Sequence, residues 1–327
     1  VQLRAVQCKR VQESSIFMNH QFYLAPLRGV TDHVFRSVYE KYFGKFDYIV
    51  TPFVSTVRGT RVADCYFKDT LPQNNDTGRV IPQIIGSDSG GFLLLTRRFA
   101  DFGFSTVNWN LGCPAPLITR KKRGSGLLPH KYIIEKFLDD TMPKLPIELS
   151  IKVRLGFENK DDLEALIPVF NNYPIKEIII HPRTGIQAYE GSVDLHSFHK
   201  YFDMCRHTVV YNGDIRSLDY FNYLKNRFPA IDRWMIGRGV IINPNLLAIL
   251  KGENTDSSES AVILRKFLDE LLDINSGALP LTNVLGKMKE MWGYLGGGLD
   301  KSGKLSRKIM LSASLSEYNS VIDEFFT

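Results

Sequence analysis

Short apolar runs recur along the chain, and almost every one is followed by a stretch of helical periodicity. The runs are Phe22–Ala25, Tyr48–Val50, Val80–Ile85, Thr106–Trp109, Glu148–Val153, Glu177–Ile180, Thr208–Tyr211 and Trp234–Ile236. Amphipathic segments such as 32–43, 89–102, 130–142, 161–172 and 217–227 lie between them. Strands that alternate with helices pair in parallel, because each crossover returns the chain to the same end of the sheet. Eight such units in about 230 residues predict a closed TIM (β/α)8 barrel of the α/β class rather than an open sheet.

The pattern changes after Pro244. Residues 252–260 read as a linker of serine, asparagine, glycine and acidic residues. Helical periodicity then fills 261–275, 281–296 and 303–326, broken at Pro280 and at the Gly296-Gly297-Gly298 run. The expected organisation is an N-terminal leader at 1–20, a catalytic barrel at 21–251, the linker, and a small C-terminal α-helical domain at 261–327. No apolar run reaches the ~18 residues that span a bilayer, so a membrane partner is not expected.

Polar side chains cluster at the ends of the strands. The first strand ends at Ala25-Pro26, and the third contains Gln83. The fourth runs into Asn110-Leu111-Gly112-Cys113-Pro114 and the sixth into His181-Pro182-Arg183. The last two end in Asn212-Gly213-Asp214 and Gly237-Arg238. A barrel carries its active site at that end of its strands. In the fifth strand Leu149, Ile151 and Val153 alternate with Ser150, Lys152 and Arg154. Successive side chains point to opposite faces, so Lys152 and Arg154 must face the barrel axis. A buried lysine without a partner is costly, and an anionic or electron-rich ligand is expected beside it.

Charge and cysteine usage refine this picture. The net charge is +6, but residues 1–250 carry 32 basic and 24 acidic side chains and the rest 9 and 11. The excess sits on the barrel, which suits a polyanionic partner. The four cysteines, Cys8, Cys65, Cys113 and Cys205, form no CxxC pair. Neither a metal site nor a disulfide framework is expected, and the reading is a reducing, cytoplasmic compartment.

Three groups of residues point to chemistry. The loops holding Asn212-Gly213-Asp214 and Gly237-Arg238-Gly239 follow the last two strands, where barrels often bind phosphate through backbone N–H groups and a helix N-terminus. Gln83 offers an amide and Lys152 a cation, which suit the edge of an isoalloxazine ring. Cys113, held between glycine and proline, is placed either to donate a proton or to act as a nucleophile. Four basic residues follow it, Arg120, Lys121, Lys122 and Arg123, in a loop that suits a large anion such as RNA.

Taken together these strings resemble the tRNA-dihydrouridine synthase family. The matching pieces are Leu24-Ala-Pro-Leu-Arg-Gly-Val-Thr-Asp32, Pro82-Gln-Ile-Ile-Gly86, Asn110-Leu-Gly-Cys-Pro114 and Lys122-Arg-Gly-Ser-Gly-Leu-Leu128. Lys152-Val-Arg-Leu-Gly156, His181-Pro-Arg-Thr184, Tyr211-Asn-Gly-Asp-Ile215 and Ile236-Gly-Arg-Gly239 continue the series in order. Leu24, Leu27, Thr51-Pro52-Phe53 and Asn245 depart from common family residues.

The resemblance implies an FMN enzyme, recharged by NADPH (or NADH), that reduces a tRNA uridine by hydride transfer to C6 and protonation of C5. It implies Cys113 as the acid. Ala25, Pro26, Gln83, Lys152, His181, Asn212, Gly213, Asp214, Gly237 and Arg238 are the expected cofactor contacts. Asn110, Arg154, Arg183 and the Arg120–Arg123 run are expected on the substrate. The helical domain is expected to grip tRNA, and no obligate protein partner is expected of what reads as a monomer. The alternative is an FMN-dependent barrel oxidoreductase acting on a small-molecule pyrimidine.

Overall fold

Ten parallel strands form one sheet in the computed structural model, which describes residues 20–57, 59, 62–253, 257–300 and 302–326. They are β1 (Gln21–Leu24), β2 (Tyr48–Val50), β3 (Val54–Ser55), β4 (Val80–Ile81) and β5 (Gln83–Ile85). β6 (Thr106–Leu111), β7 (Glu148–Gly156), β8 (Glu177–Thr184), β9 (Thr208–Tyr211) and β10 (Arg233–Ile236) complete it. Two prolines explain why eight expected strands appear as ten. Pro52 separates β2 from β3, and Pro82 separates β4 from β5, because proline has no N–H for the ladder. The staves are nonetheless continuous. β2 pairs β4 through Ile49 and Val80, and β5 pairs β6 through Gln83 and Asn108. The sheet therefore closes into an eight-stave barrel.

Helices cover the outside. α1 (His33–Phe43), α2 (Ser89–Asp101), α3 (Pro116–Thr119), α4 (Lys131–Thr141) and α5 (Asp162–Phe170) alternate with the strands. α6 (Leu195–Met204), α7 (Leu218–Arg227), α8 (Arg238–Ile242) and α9 (Leu246–Leu250) follow. Asp32, Asp88, Asp194 and Ser217 cap α1, α2, α6 and α7 by accepting a backbone N–H, so these four helix starts are fixed by a polar side chain. The outward face of the sheet is apolar. Trp109, for example, stacks on Phe137 of α4 with ring centres 4.0 Å apart.

Four more helices pack against the barrel: α10 (Ser257–Ala278), α11 (Leu281–Leu299), α12 (Lys304–Leu311) and α13 (Leu315–Phe326). Three sequence expectations change here. Residues 257–260, read as linker, already belong to α10, because a serine-rich opening suits a helix N-terminus as well as a loop. The three glycines read as a breaker lie in and end α11. Two of them allow close approach: a Cβ on Gly298 would sit 2.3 Å from the Ile242 carbonyl oxygen and one on Gly296 2.0 Å from Ser306 Oγ, whereas one on Gly297 would meet open space. The helix read as 303–326 breaks at Ser312–Ser314, where Ser314 accepts from the Glu317 N–H and Glu317 accepts from the Ala313 N–H. That reciprocal pair is a helix start. Most of the expected leader, residues 1–19 with Cys8, lies outside the described residues. No helix among the described residues is long and apolar enough to cross a membrane.

Candidate active site at the barrel mouth

The strand ends converge on a cavity of about 410 Å³. Ala25 and Pro26 line it from β1, Gln83 from β5, Asn110 and Cys113 from β6, and Lys152 and Arg154 from β7. His181, Asn212, Gly213, Asp214, Gly237 and Arg238 close the circle.

Cys113 is clamped on two sides. Asn110 Oδ1 accepts from the N–H groups of Gly112 (3.0 Å) and Cys113 (2.9 Å). The Ser125 N–H and hydroxyl both donate to the Cys113 carbonyl at 3.0 Å. Gly124, at φ +57°, makes this possible, since a Cβ there would lie 2.5 Å from the Cys113 oxygen. The glycine-rich turn after the basic run thus holds the cysteine loop. Burial pushes the Cys113 thiol up, opposed in part by the Ala115 N–H and by the charges of Arg154, Arg28 and Lys152. The thiol therefore keeps its proton at neutral pH.

Lys152 faces the axis, as alternation requires. Burial pushes its pKa down to about 7, and Arg154 adds to the shift. Among the described residues its Nζ has no hydrogen-bond or ion-pair partner. Arg154 is tied down. Its Nε donates to the Gly112 carbonyl (2.9 Å) and its Nη1 to the Thr184 carbonyl (2.8 Å), which links the ends of β6 and β8. Burial lowers its pKa to about 10. His181 Nδ1 lies 2.6 Å from the Asn212 carbonyl oxygen. Burial, then Arg154 and Lys152, hold the imidazole far below its ordinary range, so the ring is neutral. The carbonyl only accepts, so Nδ1 carries the proton and Nε2 stays an acceptor.

The β9 and β10 loops form a cradle with little room for side chains. A Cβ on Gly213 would meet Tyr211 Oη at 2.9 Å, and one on Gly239 would meet the Ile215 oxygen at 2.1 Å. Asn212 Nδ2 donates to the Met235 carbonyl (2.9 Å) and ties the two loops together. Arg238 stands at the edge with Nη2 on Asp214 (3.1 Å). Asp214 also accepts from Arg183 and Arg216. α8 has only five residues, so an anion here would rest on backbone N–H groups and Arg238 more than on a helix dipole.

Some expected residues stand elsewhere. Arg183 does not line the cavity. It is 1% exposed and held by Asp214 and the carbonyls of Glu190 and Gly191, so it buttresses Asp214 and, through it, Arg238. Arg120, Lys121 and Lys122 are exposed and Arg123 half-buried, all outside the cavity beyond α3. Other wall residues have no periodic signal in the sequence. Tyr189 is 49% exposed and lies under two guanidiniums, with Arg154 and Arg238 at 5.3 and 4.7 Å from its ring centre. Ala188 before it sits at φ +47°. Arg28 and Phe53 join the rim, and Tyr294 reaches it from α11, so the helical segment helps to build the site.

Comparison with known proteins bears on this arrangement. The sequence model of a family described as dihydrouridine synthase matches residues 23–310. The chain is 27% identical over 285 residues to the tRNA-dihydrouridine(16) synthase of Neisseria meningitidis serogroup B, covering 82% of this chain and 85% of that one. It is 24% identical over 296 residues to the tRNA-dihydrouridine synthase B of Pasteurella multocida, covering 89% and 82%. Among solved structures it is similar to histamine dehydrogenase from Rhizobium sp. 4-9, with a TM-score of 0.53 at 11% identity. That match covers 71% of this chain and 46% of the dehydrogenase, so the chain spans under half of it and the likeness concerns the fold.

Proposed function

The chain belongs to the dihydrouridine synthase family, and on that premise we propose that it reduces the C5–C6 double bond of a uridine in tRNA to 5,6-dihydrouridine. The observation that carries the reading is Cys113, a protonated thiol clamped at the rim of a cavity that also holds an unpaired, half-buried lysine.

The residues present fit a flavin mononucleotide. Lys152 has no partner and a pKa of about 7, so an anionic ligand would draw a proton onto it, which suits the electron-rich edge of the ring, with Gln83 and neutral His181 beside it. Ala25 and Pro26 bring backbone to the ring. Asn212, Gly213, Gly237 and Arg238 form a cradle at the cavity wall, where Gly213 packs too closely on Tyr211 for a Cβ, and Asp214 holds Arg238 at its edge. The chemistry that FMN would supply when bound there, recharged by NADPH or NADH, is the hydride that C6 of the uracil needs.

The chain's own residues do the rest. Cys113 gives its proton to C5: the S–H bond breaks, a C–H bond forms, and the thiolate is left in the field of Arg154, Arg28 and Lys152. The same burial that keeps the proton on the thiol and the same cations that steady the thiolate make it a general acid. Asn110 retains one amide N–H for the base, and Arg154 flanks the cavity beside Tyr189. A uridine must leave its stack to reach this depth. The Arg120–Arg123 run meets the flanking phosphates, and the helical segment carrying Tyr294 grips tRNA at the mouth.

Purified protein should be yellow. Cys113→Ala should lower dihydrouridine formation by about 10²–10⁴-fold with FMN per chain unchanged. Colourless protein, or full activity in that variant, overturns the reading. Turnover of free uridine in the absence of tRNA overturns the tRNA assignment.

A further inference from the structure

Barrels of this kind are usually filled with branched apolar side chains. One side of this interior obeys, with Val50, Ile81, Ile179, Val210 and Met235 packed together around Tyr23. The other side is polar. Gln83, Asn108, Ser150 and Glu177 are direct register neighbours on β5, β6, β7 and β8. All four are essentially inaccessible to solvent. They join in one hydrogen-bonded chain that ends at Cys113.

The direction of every link is determined. At the floor, the Glu177 carboxylate only accepts, from Ser150 Oγ (3.0 Å), from Tyr23 Oη (2.8 Å) and from Arg233. The Ser150 proton is thereby used, so Ser150 accepts from Asn108 Nδ2 (2.8 Å). Asn108 Oδ1 then accepts from Gln83 Nε2 (2.7 Å), and Gln83 Oε1 from Asn110 Nδ2 (2.7 Å). Asn110 Oδ1 is left to accept from the backbone N–H groups of Gly112 and Cys113, which only donate. Both ends demand the same direction, so no amide can flip without breaking its neighbours. Links that point one way polarise each other.

We propose that Glu177, Ser150 and Asn108 are positioning residues, which set from the barrel floor which way the amides of Gln83 and Asn110 point at its mouth, and through Asn110 the seat of Cys113. The inference rests on the roles proposed above for the cavity and the thiol. An amide presents a donor on one side and an acceptor on the other. A reversed Gln83 would offer the ligand the wrong pattern. A reversed Asn110 would turn an N–H toward the Cys113 N–H and release the loop. The orientation of a cofactor-facing amide thus depends on a carboxylate that never touches the cofactor.

Glu177→Gln and Ser150→Ala test this. The first puts a group that can also donate at the floor, and the second cuts the chain. At saturating tRNA, each should lower the rate of dihydrouridine formation per bound FMN by about tenfold, with KM for tRNA within about twofold of wild type. The double variant should be no slower than the slower single variant within about twofold, since both cut one chain. Peptide-resolved alkylation by iodoacetamide supplies a readout independent of activity. Cys113 should react about threefold faster in each variant, while Cys205, in the C-terminal turn of α6 and half-buried, keeps its rate. Unchanged rates per flavin, an unchanged Cys113, or equal acceleration of Cys113 and Cys205 from general loosening would each overturn the proposal. Should Glu177→Gln fail to fold, Ser150→Ala decides alone, since it changes no charge. A wild-type chain without FMN or dihydrouridine formation defeats the functional reading instead, and the Cys113-to-Cys205 comparison still decides the positioning role.

Discussion

Lys152 shows how one half-buried, desolvated group ties folding to ligand binding. Its pKa of about 7 in the folded chain lies far below that of an exposed lysine. Between about pH 7 and the ordinary lysine value the unfolded chain holds a proton at this site and the folded chain does not, so this site's contribution to stability rises with pH across that window. A bound anion favours the protonated form. FMN affinity should therefore fall as pH rises above about 7, approaching tenfold per unit, which fluorescence titration at several pH values measures. Lys152→Met should abolish that pH dependence and raise the melting temperature of the cofactor-free protein, by about 1 kcal/mol or more of stability, while dihydrouridine formation is lost. A variant that binds FMN with the wild-type pH profile would show that Lys152 does not face the ligand.

At the scale of elements, close backbone approaches carry the geometry. The turn at Gly124 presses on the Cys113 carbonyl, so Gly124→Ala combines a disfavoured φ with an approach of 2.5 Å. It should cost about 1–3 kcal/mol in chemical denaturation and lower activity with FMN content retained, because the cofactor cradle lies on other strands. Gly298 plays the same part between α11 and α8, whose first residue is Arg238. Gly298→Ala should push the helices apart and weaken FMN binding, although residue 298 does not line the cavity. Equilibrium dialysis at constant pH checks this. The triple-glycine run looks like a helix stop in the sequence. The actual use of Gly296 and Gly298 is proximity, which only the packing partner reveals.

At the scale of the molecule, the proposed function assigns the holding of a large substrate partly to surface charge and partly to the docked helical segment. The helical segment is anchored on α1 by Phe267, whose ring meets Phe35, Tyr39, Tyr42 and Phe43. Ion pairs of Lys287 with Asp32 and of Lys41 with Glu270 flank that anchor. Phe267→Ala should destabilise the chain by about 3–5 kcal/mol and loosen the wall that carries Tyr294. The four-residue basic run is instead surface charge. Replacing Arg120, Lys121, Lys122 and Arg123 with serine should weaken tRNA binding and flatten its salt dependence, by about 0.7–0.9 in log–log slope for each phosphate that is no longer neutralised. The rate at saturating tRNA should be unaffected. A slope equal to that of wild type would show that the run is only a solvated face.

The order of the staves, the inward phase of Lys152 and Arg154 and the placing of Cys113 at a strand end were all legible in the sequence. Alternation and spacing are local properties that a single chain displays without its partners. The breaks at Pro52 and Pro82, the burial of Arg183 behind Asp214 and the use of Gly124 were not. They depend on which strand lies beside which and in what register. The chain from Cys113 to Glu177 makes the point most fully. Asn108, Ser150 and Glu177 each read alone as an ordinary buried polar group. Their alignment on one rung of adjacent strands arises when the sheet closes, because closure fixes the register and leaves each donor a single acceptor within reach.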